Sequence, residues 1–340
     1  MKKTVCFGEI MLRLNPEGYL RFTQANKFEA TYGGGEANVA VSLSDFGIDA
    51  SYVTKLPTHD IGRAAVSALM ARGVDTSKIV RGGERVGIYF LEKGASQRAS
   101  KVIYDRAHSS IATASPADFD WDAIFEGAGW FHFTGITPAL GDNVAEICLE
   151  ACKKAKELGI YISCDLNFRK NLWTSAKAGE VMGGLMSYVD LCIANEEDAD
   201  KVFGIKADNT DITGGKLSHE GYVSVAEKLT ERFGCSSVAI TLRGSISASD
   251  NNWAGMLYTG GKAHFSKSYA VHIVDRVGGG DSFGAGLIYA TQSGYDPQAS
   301  IEFAVAASCL KHTIEGDFNN VSVAEVTALA GGDGSGRVSR

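Results

Sequence analysis

The sequence has no long hydrophobic run and no leader-like start. None of its 340 residues lie in an apolar stretch approaching the roughly 18 residues that a membrane-spanning helix needs. The opening MKKTVCFGEIMLRL begins with two lysines, but Glu9 and Arg13 interrupt its apolar character and no small-residue cleavage site follows. The pattern therefore predicts a first β-strand, no membrane association and a cytoplasmic location.

Positive charge is also in short supply. The chain has 33 basic and 40 acidic residues, which gives a net charge of −7 at pH 7. A protein with this balance repels the phosphate backbone of nucleic acid and an anionic membrane surface on average. An anionic small substrate would need a local cluster of arginines. We therefore expect small-molecule ligands and no nucleic-acid partner.

The cysteines show no pattern of paired spacing. Their number is odd, and most lie in apolar runs such as YISCDLN and LCIAN, which favours buried free thiols in a reducing compartment. Cys148 and Cys152 lie four apart on a predicted helix, but no histidine is close enough in sequence to complete a zinc site. The seven positions are Cys6, Cys148, Cys152, Cys164, Cys192, Cys235 and Cys309.

Short apolar, β-branched runs alternate with longer amphipathic segments along most of the chain. The clearest strands are TVCFGEI, ASYVTKL, WFHFTGI, IYISCDLN, DLCIANE and SVAITLR, and several of the intervening helical segments end in glycine. Near-continuous apolar strands are typical of a parallel sheet covered on both faces. The rhythm predicts an α/β fold with a doubly wound, mainly parallel sheet flanked by helices.

Two stretches depart from this rhythm, at about 13–32 and 80–109. Their strand-like patterns lack intervening helices and predict one small β-sheet lid inserted into a single domain spanning 1–325. Residues 207–221 have the composition of a polar surface loop. Residues 326–340 are expected to form a flexible C-terminal tail.

Residues 278–286 read GGGDSFGAG and pass from glycines directly into a helical pattern. The backbone amides of Gly278, Gly279 and Gly280 then lie at a helix N-terminus, where unpaired donors and the helix dipole favour an anion such as a phosphate. Asp281 fits such a site as a general base that accepts a hydroxyl proton beside the bound phosphoryl group. At an ordinary pKa of about 3.9 it would be ionised but weakly basic.

Three other interpretations of this stretch were weighed. A well-capped helix also explains a glycine-rich turn followed by aspartate. The dinucleotide fingerprint does not fit, because the glycine spacing is G-x-G-x-x-x-G and lies late in the chain. The sequence also has no G-x-x-x-x-G-K-[ST], so a P-loop is not supported.

DRVGGGDSFGAG, together with YGGGEANVAVSLSDFG and HDIGRAAVSALMARGVDT nearer the N-terminus, resembles the ribokinase-like, or phosphofructokinase-B type, family of sugar kinases. The resemblance runs from residue 3 to about 318. It implies a ribokinase-like fold, ATP and Mg²⁺ as cosubstrate and metal, a monovalent cation in some members, and Asp281 as the base with Gly278, Gly279 and Gly280 as the anion hole.

Within the family the chain is most similar to the kinases of 2-keto-3-deoxygluconate. The stretches that carry this similarity are FGEIMLRL, GGGEANVA, YDR, DLNFRKNLW, DRVGGGD and KHTIEGDFN. The similarity implies phosphorylation of the terminal primary hydroxyl of this sugar acid. A kinase of a neutral sugar such as fructose or ribose, a kinase of the galactonate epimer, and a non-catalytic sugar sensor remain alternatives.

A sugar acid needs a cation for its carboxylate, and arginine provides the best hydrogen-bond geometry. Arg106 on a lid strand and Arg169 after a strand end are the candidates. The resemblance places six residues in addition to Asp281 at substrate-contact positions: Gly34, Asn38, Tyr89, Tyr104, Arg106 and Arg169.

The resemblance also implies a nucleotide site at two other strand ends. Asn195, Thr241, Arg243 and Gly244 would face the ATP phosphates and ribose, together with Gly278 and Gly280. Asp198 stands where the family often has glutamate helping to hold Mg²⁺ through water, and its reach is shorter.

Two further departures concern neighbours of site residues. Asp105 stands where the sugar-acid kinases often have an aromatic residue, and on a strand it should face away from Tyr104 and Arg106. Arg276 occupies a position that is commonly threonine, and it would either approach the phosphates or pair with a surface acid. The exposed edges of a β lid are suited to a homo-oligomer formed through the lid.

Overall fold

The computed structural model describes residues 1–207 and 219–334. The strands are β1 (Lys3–Phe7), β2 (Met11–Asn15), β3 (Glu29–Gly33), β4 (Ala50–Val53), β5 (Lys55–Leu56), β6 (Val80–Arg81), β7 (Gly87–Glu92), β8 (Lys101–Asp105), β9 (Ala128–Thr134), β10 (Tyr161–Asp165), β11 (Leu191–Asn195), β12 (Ser237–Ser245), β13 (Asp250–Thr259), β14 (Lys262–Phe265) and β15 (Tyr269–His272). The α-helices are α1 (Gly35–Asp45), α2 (Asp60–Met70), α3 (Trp121–Ile124), α4 (Asp142–Glu157), α5 (Ser175–Met186), α6 (Glu196–Phe203), α7 (His219–Phe233), α8 (Gly279–Gln292), α9 (Pro297–Lys311) and α10 (Val323–Ala330). Short 3₁₀ turns lie at Pro116–Asp118 and Pro138–Leu140.

The main sheet has nine strands in the order β14-β13-β12-β11-β10-β9-β1-β4, with β15 also paired to β13. The strands from β12 to β4 are parallel, and β13, β14 and β15 pair antiparallel at one edge. After β4 the chain returns to the other side of β1 and adds β9. This reversal brings strand carboxyl ends together around a crevice where open α/β sheets bind ligands.

Helices cover both faces of this sheet, which explains the continuous apolar strands. One hydrophobic cluster joins the sheet to α1, α8 and α9, and the other joins it to α4, α5 and α7. Phe131 and Phe133 of β9 are both fully buried, and so are Ile162 and Cys164 of β10. The predicted α/β fold class, including its mainly parallel sheet, is confirmed.

A separate four-stranded sheet has the order β3-β2-β7-β8. Strands β2 and β7 are parallel, whereas β3 and β8 pair antiparallel at the two edges. All five residues of β8 are exposed. The predicted lid segments contain these strands, except that β2 begins two residues earlier, at Met11, and β3 ends one residue later, at Gly33. Val80–Arg81 pairs with Lys55–Leu56 in a small sheet of its own.

Two segment predictions need correction. Helix α7 begins at His219, because Gly221, Tyr222 and Val225 place a buried face on the core, so residues 219–221 are helical. The rest of the predicted loop, apart from residue 207, lies outside the described residues. The predicted tail is wrong for 326–330, because α10 continues to Ala330 and fully buries Val326 against the core. Residues 335–340 also lie outside the described part.

The prediction of buried free thiols is confirmed for all seven cysteines. Each is buried and free, and burial raises the pKa of the Cys152 and Cys164 thiols above their ordinary value. Over the ranges 1–207 and 219–334, no helix has the length and apolarity to cross a bilayer.

Candidate active site

A cavity of about 620 Å³ lies between the four-stranded lid sheet and the carboxyl ends of the main-sheet strands. It brings together most of the residues that sequence reasoning selected from distant parts of the chain. Gly244 and Gly279 lie outside its lining. The selected residues that line it are Gly34, Asn38, Tyr89, Tyr104, Arg106, Arg169, Asn195, Asp198, Thr241, Arg243, Gly278, Gly280 and Asp281.

The three glycines at the N-terminus of α8, Gly278 to Gly280, lack a side chain for different structural reasons. Gly278 has φ +85°, and a β-carbon there would lie 2.2 Å from the carbonyl oxygen of Asp317. A β-carbon at Gly279 would meet the His312 ring at 2.5 Å, whereas one at Gly280 would meet no atom within 4 Å. Gly280 is exposed on the cavity wall. Its lack of a side chain therefore serves access to the backbone rather than packing.

The first turn of α8 supplies unpaired amide donors. The first backbone bond of this helix runs from the Ser282 amide to the Gly278 carbonyl at 2.8 Å, so the preceding amides have no acceptor within the helix. The Gly279 amide is an exception to the prediction of three free donors, because it donates to the Arg276 carbonyl at 3.3 Å. The turn nevertheless presents the positive end of α8 to the cavity.

Asp281 lies in the first turn of α8 and faces helix α1. Its Oδ2 accepts a 2.7 Å hydrogen bond from Nδ2 of Asn38. Burial raises the pKa of Asp281 to about 6, although the Asn38 bond and the positive charges of Arg169 and Lys311 act in the opposite direction. The expectation of an ordinary pKa was therefore wrong. Asp281 is a stronger base than an exposed aspartate and remains largely ionised at pH 7.

Asn38 was expected to contact sugar hydroxyls, but the protein itself uses both ends of its amide. Nδ2 donates to Asp281, and Oδ1 accepts the Gly34 amide at 3.3 Å. A β-carbon at Gly34 would lie 2.0 Å from the Glu9 carbonyl oxygen, so only glycine fits this crossing. Asn38 thus orients Asp281, and its contact with a sugar stays a prediction.

Arg106 is held by a buried carboxylate on β1's C-terminal side. Its Nε donates to Oε2 of Glu9 at 2.7 Å and its Nη2 donates to the same oxygen, while Ser109 donates to Oε1 at 2.6 Å. The guanidinium also lies 5.4 Å from the centre of the Tyr104 ring. Asp105 pairs with Arg85 at 2.9 Å, away from the cavity side of its neighbours, as strand alternation requires.

Tyr89 lines the cavity but is more deeply buried than its prediction as a substrate-binding phenol implied. Its hydroxyl donates to Oδ2 of Asp317 at 2.6 Å. Arg13 donates to Asp317 at 2.7 Å and to Asp275 at 2.5 Å, and its guanidinium is fully buried. This network joins two lid strands to the segment that leads into α8.

Asp165 is a cavity residue that sequence reasoning did not select. It ends β10 and accepts the Asn167 amide at 3.1 Å. Burial, with the nearby carboxylates of Asp198 and Asp281, raises the pKa of Asp165 well above its ordinary value. A carboxylate at the end of a predicted parallel strand was the available signal. Arg169, four residues later, favours the ionised forms of both Asp165 and Asp281.

At the nucleotide end, Asn195 caps helix α6. Its Oδ1 accepts the amides of Glu197 and Asp198 at 2.8 and 3.0 Å. The Asp198 carboxylate accepts the Asn195 amide at 3.2 Å and, through its other oxygen, the Phe168 amide at 3.1 Å. Asp198 therefore ties two strand ends together, and its water-mediated role toward Mg²⁺ stays a prediction.

Lys311 and His312 were also not selected from the sequence. The Lys311 ammonium is fully buried behind Gly278 and donates to the Ile314 carbonyl at 3.1 Å. Burial lowers the pKa of His312 to about 4, so its ring is neutral at pH 7. Lys311 ends the long buried helix α9 and His312 follows it, and the sequence pattern gives no sign that His312 lines the cavity.

A cavity with a carboxylate and free amides at one helix end, beneath a β-sheet lid, suits the transfer of a phosphoryl group to a small molecule. Family comparison agrees. The chain belongs to the pfkB family of carbohydrate kinases, because the model of the family described as "pfkB family carbohydrate kinase" matches residues 1–322. It is therefore a sugar kinase, which sets aside the sensor alternative.

Individual relatives are similar over nearly the whole chain. The 2-dehydro-3-deoxygalactonokinase of Haloferax volcanii is 32% identical over 330 residues, covering 97% of each chain. A crystal structure of 2-dehydro-3-deoxygluconokinase from Thermotoga maritima is 53% identical, covers 97% of this chain and 98% of the other, and has a TM-score of 0.94. A fructokinase with bound ATP from Xylella fastidiosa is 21% identical with a TM-score of 0.76, covers 96% and 97%, and shows the shared fold.

Proposed function

We propose that this protein transfers the γ-phosphoryl group of ATP to the terminal primary hydroxyl of 2-keto-3-deoxygluconate, the compound that the relatives' names call 2-dehydro-3-deoxygluconate. The observation that carries the proposal is the shared cavity of Asp281 with two arginines, Arg106 and Arg169. A neutral sugar has no carboxylate for these cations, and because Glu9 already balances the charge of Arg106, Arg169 carries most of this argument. The 53% identical relative from Thermotoga maritima bears the name of the same activity.

Asp281 performs the proton transfer in this mechanism. Asn38 holds its Oδ2, so Oδ1 is the oxygen available to take the proton of the sugar hydroxyl. The hydroxyl oxygen forms a bond to the γ-phosphorus as the bond between that phosphorus and the β–γ bridging oxygen breaks, and ADP leaves. Free amides in the first turn of α8 stabilise the charge on the transferred group.

The cavity residues fit Mg²⁺ bound with ATP. Carboxylates are ligands that Mg²⁺ prefers, commonly through retained waters, and Glu197 and Asp198 line the nucleotide end. Among the described residues, no cluster of three acidic, histidine or cysteine side chains could by itself hold a metal ion. A metal held mainly by the nucleotide phosphates agrees with this, and it would neutralise phosphate charge. A monovalent-cation requirement stays a prediction, tested by comparing activity in potassium, sodium and choline salts.

The first experiment measures ADP release by purified protein with MgATP. The substrates are 2-keto-3-deoxygluconate, its galactonate epimer, fructose and ribose, and Asp281→Asn is the matched control. We expect turnover with the sugar acid and loss of turnover in the variant. Turnover confined to fructose or ribose would keep the kinase and overturn the proposed substrate.

Substitution of Arg169 provides a sharper test of carboxylate recognition. Arg169→Gln should raise KM for the sugar acid by roughly 10- to 100-fold, since a charge-assisted hydrogen bond contributes about 1.5–3 kcal/mol. Arg63→Gln on the exposed face of α2 is the control, because that arginine pairs with Asp60 outside the cavity. An unchanged KM in Arg169→Gln would remove this residue from substrate recognition.

The galactonate epimer is the second candidate. The 32% identical relative from Haloferax volcanii is named for it. The two sugar acids differ in the configuration of one hydroxyl-bearing carbon, and contacts of about 1 kcal/mol decide between them. The ratio of kcat/KM for the two compounds, measured in one assay, distinguishes the candidates.

We also propose a homodimer formed through the lid. Strand β8 is an exposed sheet edge, with Val102, Ile103 and Tyr104 at 43%, 54% and 44% exposure. A second copy would cover this apolar strand. Ile103→Lys should shift light-scattering mass from dimer to monomer, and a monomeric wild type would contradict the proposal.

Seven buried free thiols support a cytoplasmic location.

A further inference from the structure

Arg276 lies in the segment that leads into α8, two residues before Gly278. It is half-buried and lines the same cavity as Asp281. The adjacent carboxylate of Asp275 does not serve it, because Asp275 accepts hydrogen bonds from Arg13 and from the backbone amides of Val277 and Gly316. In the described part of the chain, Arg276 forms no ion pair with an acid.

The hydrogen bonds of Arg276 leave donors unused. Its Nη2 donates to the Ala248 carbonyl at 3.2 Å, while its buried Nε has no acceptor among the described residues. Arg243, at the end of β12, lines the same cavity. Burial lowers the pKa of Arg276 and the neighbouring charge of Arg243 lowers it further, whereas the charge of Asp275 acts in the opposite direction. Two guanidinium groups that line one cavity repel each other, and an anion bound between them would offset this repulsion.

A second pair of buried polar groups points to the same end of the cavity. Asn251 and Trp253 of β13 line it and are 3% and 6% exposed. Asn251 Oδ1 and Trp253 Nε1 have no hydrogen-bond partner among the described residues. Trp253 lies directly opposite Arg243 in the β12–β13 pairing. Buried polar atoms without partners are rare in native proteins, so a ligand is expected to satisfy them, with an acceptor for the Trp253 N–H and a donor for the Asn251 oxygen.

We propose that Arg276, together with Arg243, binds phosphate oxygens of the nucleotide. This inference rests on the proposed kinase function. The amides of α8 receive the transferred phosphoryl group, and the two guanidinium groups receive the rest of the phosphate chain. Arginine suits this task because its planar fork donates two hydrogen bonds to one phosphate.

The orientation of Arg276 also depends on the lid. The Ala248 carbonyl accepts from Arg276, and the Ala248 amide donates to the Ser96 carbonyl at 2.7 Å. Ser96 lies between lid strands β7 and β8, and its own amide donates to Ser249 Oγ at 2.9 Å. The loop that positions Arg276 is therefore fastened to the lid.

The test measures binding of AMPPNP, a non-hydrolysable ATP analogue, to wild type, Arg276→Gln and Arg276→Lys by isothermal titration with Mg²⁺. Arg276→Gln should weaken binding by roughly 10- to 100-fold, the range for losing charge-assisted hydrogen bonds. It should also reduce the salt dependence of binding. Arg276→Lys should recover part of the affinity because the charge is kept. KM for the sugar acid should stay within about twofold, because different arginines bind the sugar acid and the nucleotide phosphates.

Two results would overturn the inference while leaving the kinase function intact. One is wild-type affinity for AMPPNP in Arg276→Gln. The other is weakened binding with unchanged salt dependence and a lowered melting temperature without nucleotide, which would show that Arg276 only supports the Ala248 loop. If wild type itself fails to bind AMPPNP, the proposed function and this inference both fall. Arg63→Gln is again the control for loss of a surface arginine.

Discussion

Asn38 and Asp281, 243 residues apart in sequence, are joined by a 2.7 Å hydrogen bond from Nδ2 to Oδ2. The bond connects the first turns of α1 and α8, which pack against each other. It fixes one carboxylate oxygen and leaves Oδ1 on the side of Gly35, where a β-carbon would come within 3.6 Å of it. The orientation of the proposed base is therefore set before a substrate binds.

The raised pKa of Asp281 predicts a pH-dependent rate. Burial places this pKa at about 6, and only the ionised carboxylate can accept a proton. Initial rates at saturating ATP should therefore rise with pH through about 6 and level off above 7. Asp281→Asn should lose roughly 100- to 10,000-fold in kcat while retaining nucleotide binding. A wild-type rate that stays constant down to pH 4 would contradict this assignment.

Gly279 and Gly280 form a matched pair for the α8 N-terminus. Gly280→Ala meets open space and should fold normally, yet its methyl group enters the cavity where a phosphate would bind, so kcat/KM for ATP should fall at least tenfold. Gly279→Ala meets the His312 ring and should lower stability by about 1–3 kcal/mol. Urea unfolding and steady-state kinetics on both variants check the two effects. Equal stability losses would show that packing governs both positions.

Glu9 is predicted to position Arg106. Glu9→Gln removes the charge that holds this guanidinium, so KM for the sugar acid should rise about three- to tenfold with kcat within about twofold. Arg106→Lys should change KM in the same direction because it loses the paired Nε and Nη2 bonds. A fall in kcat at constant KM would instead indicate a general disturbance of the catalytic segment.

Glu36 should make stability depend on pH. Its Oε1 accepts from the Thr134 amide, the Thr134 hydroxyl and the Thr137 hydroxyl at 2.9, 2.8 and 2.5 Å, and burial raises its pKa from 4.5 to about 7. The folded form binds the proton more tightly, so this stabilisation is complete below about pH 4.5 and is lost as pH rises through about 7.

Glu36→Gln should therefore reduce the loss of stability between pH 5 and pH 8, since a glutamine oxygen can accept the same three bonds. Thermal melting at the two pH values measures the change. Glu157→Gln, on an exposed side chain of α4, is the control and should leave the pH dependence as in wild type. Identical pH dependence in Glu36→Gln and wild type would show that other buried acids account for it.

Local sequence predicted the N-terminus of α8 because its signal is contiguous. A glycine run that leads into an aspartate and then a helix places backbone amides beside a carboxylate without reference to the rest of the chain. The parallel sheet was equally accessible, since strands buried on both faces read as continuous apolar runs. The end of the chain was harder, because the burial of Val326 depends on packing of α10 against α9.

Sequence alone determined the fold class, the family and most of the selected residues that line the cavity, because these depend on periodicity and on short motifs. Only the tertiary structure decided what each residue contacts there. It joins Asn38 to Asp281, Tyr89 to Asp317 and Arg106 to Glu9 by hydrogen bonds, and none of these pairs is close in sequence. It also raised the pKa of Asp281, because a carboxyl group's proton affinity depends on how much water and charge surround it, and the fold sets both.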